Sequence, residues 1–253
     1  MHITSFGINA LPTMHRVHFH DEFECHYIIN GEGFLFYKNK KSPLKPGNFV
    51  MIYPGTGHYL ESRESKNSLT QIMWTFEWTG NDNDLKKDLP RYIDSGMVFS
   101  IRSQMISYFE RMRHLSESPR TLDRKQAQLL LELFLYSIMV DGNLLATQDL
   151  DPQVHACIKE MYLRIRSEFS VKDFTEKQGV ATSQFIRKFK SIFDKTPYNY
   201  YLEIKINALI SYLKSYNETL DVAAEKFGFS DRFHLSKVFK KVKKVSPSRY
   251  IKK

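Results

Sequence analysis

Apolar and polar positions follow two different rhythms along the chain. From Arg16 to about Phe76, short runs of aromatic and β-branched residues are separated by turn formers. ECHYIIN and GEGFLFYKN meet at Asn30-Gly31, while GNFVMIYPGTGH and LTQIMWTFEWTG are each bounded by Gly, Pro or Asn. Such runs predict short strands joined by tight turns, hence an antiparallel sandwich or barrel. After Gly80 the spacing becomes helical. Arg102 to Leu115 places Met105, Ile106, Phe109 and Met112 on one face. Thr121 to Val140 carries a wide stripe of Leu129, Leu130, Leu133, Phe134 and Ile138. DGNLLATQDLDP, Asp141 to Pro152, reads as a linker, and the chain beyond it is helical with turns at Gly179, Asn217 and Gly228.

The helical half repeats itself. Ser183–Tyr201, SQFIRKFKSIFDKTPYNYY, lies over Arg232–Ile251, RFHLSKVFKKVKKVSPSRYI, at an offset of 50. Phe185 falls on Leu235, Phe189 on Phe239, Lys190 on Lys240, Pro197 on Pro247 and Tyr200 on Tyr250. Upstream, Phe174–Val180 matches Ala223–Phe229 at an offset of 49, and the difference falls in a turn. One structural unit is therefore present twice. Each copy reads as a short helix, a glycine turn, a second helix and a Thr/Ser-Pro start to a third. In the second copy the first helix is Leu220–Phe227, Gly228 supplies a positive φ, and Ser230 or Asp231 caps the next helix. This is the helix-turn-helix arrangement, whose second helix enters the major groove of DNA. On Asp231–Val242, helical spacing sends Leu235, Val238, Phe239 and Val242 inward and Arg232, Phe233, Ser236, Lys237 and Lys240 outward. In the first copy Phe185, Phe189 and Ile192 go inward, and Ser183, Ile186, Arg187 and Lys190 outward.

Charge sharpens the division. Of the net +9, residues 1–150 contribute nothing, with 16 Lys/Arg against 17 Asp/Glu, whereas residues 151–253 hold 21 against 11. A basic domain attached to a neutral one suggests that only the C-terminal part meets a polyanion; on charge alone, a merely soluble basic surface is the equal alternative. No run approaches the roughly 18 apolar residues of a membrane span. Cys25 and Cys157 lie far apart, which argues against a disulfide framework or a cysteine metal site. MHITSFGINALP has neither a basic start nor a long apolar stretch, so no export signal is expected and the cytoplasm is the expected location.

The pair GFSDRFHLSKVFKK…SPSRY and FIRKFK…TPYNYYLEIK resembles the C-terminal DNA-binding domain of the AraC/XylS family of transcription regulators, over about Pro152 to Ile251. The resemblance implies two motifs joined by a long helix, Pro197–Tyr216, that read adjacent major-groove segments of double-stranded DNA. It implies base-facing roles for Ser183, Ile186 and Arg187 in the first motif and for Arg232, Phe233, Ser236 and Lys237 in the second. Lys190 and Lys240 share those exposed faces. Ile186 and Phe233 depart from the polar or small residues usual there, and both can meet thymine methyls. A helical repeat that binds protein is the competing reading; charge, repeat and motif together argue against it.

In the strand half, His18-x-His20, Glu24 and Gly31 resemble the first cupin motif, and Gly47, Gly55 and His58 the second. Tyr53 stands where a proline is usual and Ser62 where an asparagine is usual. This resemblance, over about residues 6–80, implies a small jelly-roll barrel. His18, His20, Glu24 and His58 together make a donor set for a divalent transition ion, so a metal-dependent cupin enzyme is one reading. Sensor domains of the regulator family often keep such a stretch without metal, for structure or ligand hydrogen bonding. The expectation is therefore no metal, no cofactor and no catalysis. Side chains that merely brace the strands are the plainest alternative. Between the extremes lies a sensor pocket of His20, Glu24, Tyr37, His58, Trp74, Phe76 and Trp78 for a small-molecule effector. IMWTFEWTG resembles an element of carbohydrate-responsive members, which points to a sugar. The apolar width of AQLLLELFLYSI exceeds one packing face, and in the family the helices after the barrel supply a homodimer contact. An activator of this family also meets RNA polymerase. The expected fold class is α+β in two domains: a cupin-like antiparallel barrel at 1–98 with a trailing helical pair at 99–142, a linker at 143–152, and an all-α double helix-turn-helix domain at 153–253.

Overall fold

The computed structural model describes residues 1–11, 17–63, 69–79, 83–101, 105–140, 151–216 and 218–251; most of the expected linker lies outside them. The chain forms two compact units, Met1–Asp151 and Pro152–Lys253.

The first unit contains two antiparallel sheets. One has the strand order β1 (His2–Leu11), β7 (Leu69–Glu77), β2 (Phe23–Asn30), β5 (Asn48–Ile52) and β8 (Val98–Ser100). The other runs β4 (Lys40–Leu44), β3 (Gly33–Tyr37) and β6 (His58–Ser62). Ile28, Val50, Ile52 and Leu69 of the larger sheet meet Leu35, Leu44 and Leu60 of the smaller in one apolar core. The opposite face of the larger sheet packs against α2 (Met105–Ser116) and α3 (Thr121–Val140). There Trp74 and Phe109 have ring centres 4.6 Å apart, and Phe134 lies 5.0 Å from both Phe49 and Phe109. These rings are fully buried, and truncating one such Phe to Ala costs about 3–5 kcal/mol.

Three elements escape the apolar pattern. β1 precedes the region where the alternation is clear, α1 (Asn83–Tyr92) buries only Leu85 and Leu89 among its described apolar side chains, and β8 has three residues. The stripe on α3 also divides in two. Ala127, Leu131, Phe134 and Leu135 are buried, whereas Leu129 and Leu133 of the expected packing stripe point to solvent.

The second unit is helical: α4 (Pro152–Leu163), α5 (Val171–Lys177), α6 (Thr182–Phe193), α7 (Pro197–Tyr216), α8 (Leu220–Lys226), α9 (Arg232–Lys243) and α10 (Pro247–Ile251). The repeat is present in three dimensions. Phe185 and Leu235 are buried at matching places, as are Phe189 and Phe239. Asp194 and Lys244, also 50 apart, both take left-handed conformations with φ of 53° and 63° and end their helices identically. Ser170, Thr219 and Asp231 cap α5, α8 and α9 with side-chain oxygens, Asp231 accepting the His234 N–H at 2.7 Å. α6 begins without a side-chain cap, at Ala181.

Candidate functional site

The exposed faces of α6 and α9 follow from packing. Phe185, Phe189 and Phe193 hold α6 to its module, and Leu235 and Phe239 hold α9. A helix repeats every 3.6 residues, so what is not anchored faces out. Ser183, Arg187 and Lys190 are exposed on α6 and Ile186 is half-buried. Arg232, Phe233, Lys237 and Lys240 are exposed on α9 and Ser236 is half-buried. The offset of 50 pairs Arg187 with Lys237 and Lys190 with Lys240, so each module presents two cations at equivalent places. Phe233 is 71% exposed, a large apolar surface to leave in water, and the Arg232 guanidinium lies 4.9 Å from its ring centre. Arg232 also approaches Asp221 at 3.6 Å, but both side chains are mostly solvated, so this pair is weak and free to rearrange.

The second cluster lies on the strand unit. His20 Nε2 and His58 Nε2 stand 2.8 and 2.9 Å from Glu24 Oε2, with His18 Nε2 at 3.9 Å. One donor atom from each of the four lies within 4.8 Å of the rest. Glu24 comes from β2 and His58 from the start of β6, while a backbone bridge between His18 and His58 lays the segment carrying His18 and His20 beside β6. Glu24 and His58 are buried, His20 half-buried and His18 exposed. Burial alone would raise the Glu24 carboxyl, but the surrounding imidazoles, His26 foremost, hold it well below the usual carboxylate range. His20 is pushed up, chiefly by its contact with Glu24 and against the effect of burial.

Hydrogen bonding fixes how the rings present themselves. His20 Nδ1 lies 2.7 Å from the Glu22 carbonyl and His58 Nδ1 3.0 Å from the Thr56 carbonyl. A carbonyl oxygen only accepts, so each Nδ1 must carry the proton, and in a neutral ring that leaves Nε2 as a lone pair. Two Nε2 lone pairs then converge on an ionised carboxylate. That arrangement calls for a proton or a cation between them, and it is the outer-shell pattern that orients imidazoles toward a metal. The donor chemistry therefore fits a divalent transition ion.

The structure does not bring all the expected pocket residues together. In β2 and β7, Glu24 lies opposite Thr75, whereas Trp74 lies opposite Cys25 and Phe76 opposite Phe23. Directly opposed residues share a face and successive residues alternate, so Trp74 and Phe76 turn to the other side of the sheet from Glu24. Trp74 joins the Phe109–Phe134 cluster, and Trp78 sits with Phe76 and Phe23. The expectation that these three rings line one pocket with His20, Glu24 and His58 is corrected accordingly. Tyr37 lies opposite His58 across β3 and β6, on the cluster's side. His26 was not foreseen: its buried Nε2 is 3.5 Å from Glu24 Oε2, and the strand period, two residues on from Glu24, was the available signal. The two departures from the cupin pattern have structural tasks. Tyr53 donates to the Ile93 carbonyl at 2.8 Å, and the Ser62 hydroxyl accepts the Leu69 N–H at 3.2 Å.

Comparison with known proteins agrees with both halves. The AraC-like ligand binding domain matches residues 2–139 and a helix-turn-helix domain matches 174–253. The chain belongs to the AraC family of transcription regulators, DNA-binding proteins that carry a ligand-binding domain rather than enzymes. It is 22% identical to the MmsAB operon regulatory protein of Pseudomonas aeruginosa, over 91% of this chain and 75% of that one. It is 22% identical to the transcriptional activator RhaR of Mannheimia succiniciproducens, over 94% and 88%. Among solved structures it resembles ToxT of Vibrio cholerae O395 at 15% identity and a TM-score of 0.38, over 98% of this chain and 96% of that one. No helix among the described residues is long and apolar enough to cross a membrane.

Proposed function

We propose that the chain controls transcription in the cytoplasm by setting α6 and α9 into successive major-groove segments on one face of a duplex, under control of a small molecule bound at the Glu24 cluster. The observation that carries this reading is the doubled exposed face, with Arg187 and Lys190 on one helix matched by Lys237 and Lys240 on the other. Long cations of this kind reach guanine edges and phosphates, while Ile186 and Phe233 suit thymine methyls. Arg187→Ala and Lys237→Ala should each weaken binding to a selected specific duplex about tenfold, with a much smaller loss on random DNA. Equal losses on both would remove these residues from the reading set.

The effector we propose is polyhydroxylated, a carbohydrate, because the Glu24 carboxylate and the Nε2 lone pairs of His20 and His58 accept from hydroxyl groups. Trp74 and Phe76 no longer support this class by stacking, so hydrogen bonding carries it alone. Titration calorimetry with a panel of monosaccharides should find one that binds the native chain and not Glu24→Gln; no binding across the panel would reject the class. Control requires that the effector favour one of two arrangements of the chain. The helical pair at 99–142 is proposed to pack the barrel and join two copies. Leu122, Leu129, Leu133 and Tyr136 recur at heptad spacing on α3 and are 83, 51, 50 and 43% exposed. Where the regulator activates, RNA polymerase is the further partner.

A second reading is favoured by the fixed tautomers: His18, His20, Glu24 and His58 hold a divalent transition ion, which would tie the segment carrying His18 and His20 to the sheet. Elemental analysis of protein purified without chelators should then find one ion per chain, lost in His58→Ala. Less than a tenth of an equivalent would dismiss it.

A further inference from the structure

Between the two reading modules lies a buried cation that DNA contact does not use. Lys205, on α7, is 4% exposed. Its Nζ donates to the Ser167 carbonyl at 2.7 Å and to the Tyr201 hydroxyl at 2.9 Å. The Tyr201 hydroxyl in turn donates to the carbonyls of Arg164 and Ser167. Nζ also lies 5.0 Å from the ring centre of Phe229. These partners belong to three different segments. Ser167 sits in the connection from α4 into the first module, Tyr201 and Lys205 on the linking helix, and Phe229 in the turn of the second module.

The same place holds a close backbone approach between the second module's turn and the connection into the first. Gly228 has φ of 64°, and a Cβ added there would meet the Arg166 carbonyl oxygen at 2.7 Å. The second module's turn therefore abuts the chain that leads into the first, with Lys205 beside the junction. The matching Gly179 would meet nothing within 4 Å, so this is no general property of the turn.

A buried ammonium is a costly way to fill space. Hydrophobic side chains of similar size often do it more stably, which makes geometry the better reason for a polar group. Burial holds the Lys205 amine down to about 8, the mark of a desolvated cation. Its donors have fixed directions, whereas a methylene contact slides.

We propose that Lys205 is the positioning residue that fixes the separation and phase of α6 and α9, and so sets the spacing between the two DNA segments the protein accepts. The inference rests on the reading that both helices meet DNA. Two helices on one face of a duplex must match its repeat of about 10–10.5 base pairs, and any play between modules would blur that match.

The test uses the full chain and a duplex recovered by repeated selection from a random-sequence library. Derivatives carry one or two base pairs inserted or deleted between the two protected segments. The native protein should lose about tenfold or more in affinity for each base pair changed. Lys205→Met should bind the parent duplex within about fivefold, yet lose less than about threefold on single insertions, a flattened profile. Tyr201→Phe removes the hydroxyl without a change of shape and should flatten the profile in the same direction. It also decides the matter if Lys205→Met fails to fold. A native profile in both variants, or in Tyr201→Phe alone if the other is unfolded, overturns the proposal. Failure of the native chain to select or bind any duplex would instead overturn the reading of α6 and α9.

Discussion

Gly228 and Gly179 occupy equivalent turns with nearly equal φ, 64° and 65°, yet they answer to different constraints. Both need a left-handed backbone, which a side chain disfavours by about 1–2 kcal/mol. Only Gly228 must also leave room for the Arg166 carbonyl. Gly228→Ala should therefore lower the thermal midpoint well beyond Gly179→Ala, and equal shifts would deny the close approach. Sequence reading found both glycines, because a turn between amphipathic runs marks itself. It could not rank them, since what Gly228 meets lies some sixty positions earlier in the chain. The same limit explains the sensor cluster. His18, His20, Glu24 and His58 were found as a motif, but only strand register separates Trp74 from Glu24, and register depends on which residue lies opposite which.

Helices were the best-read elements. α3 occupies the expected span Thr121–Val140, because a long apolar stripe at helical spacing leaves little choice, and α7 the span Pro197–Tyr216 that the family resemblance implied. Short or one-faced elements such as β8 and α1 carry too few apolar positions to stand out. On α3 the exposed heptad positions predict a dimer that Leu129→Glu with Leu133→Glu converts to monomer, as seen by sedimentation; an unchanged mass would place the contact elsewhere. On α7, Lys205 predicts a pH effect with a definite sign. Its amine is held at about 8 in the fold against an ordinary 10.5. Between those values the unfolded chain binds a proton that the folded chain does not, so stability rises with pH across that window, by at most about 3 kcal/mol. Tyr201, whose hydroxyl accepts from Nζ, and the nearby Glu168 are its titratable neighbours, with Glu168 opposing the depression. Denaturant melts of the native chain and Lys205→Met from pH 8 to 10 should show the slope in the former only; parallel curves would contradict the assignment.

Across the whole chain, division of labour was the clearest message of the sequence. The positive excess confined to residues 151–253, the repeat at an offset of 50 and the change from strand to helix rhythm all point to one neutral sensing unit and one basic DNA-binding unit. What the sensor binds was not readable, because a cluster of imidazoles and one carboxylate serves hydroxyls, protons and metals through the same atoms. The DNA claim is open to a single direct check. The affinity of the full chain for its selected duplex is measured across salt concentration. Cations on both modules should each displace counterions from phosphates, so log affinity should fall linearly with log salt, with a slope of about −0.9 per phosphate neutralised and a total of about −4 or steeper. A flat dependence would contradict a DNA-binding role for α6 and α9.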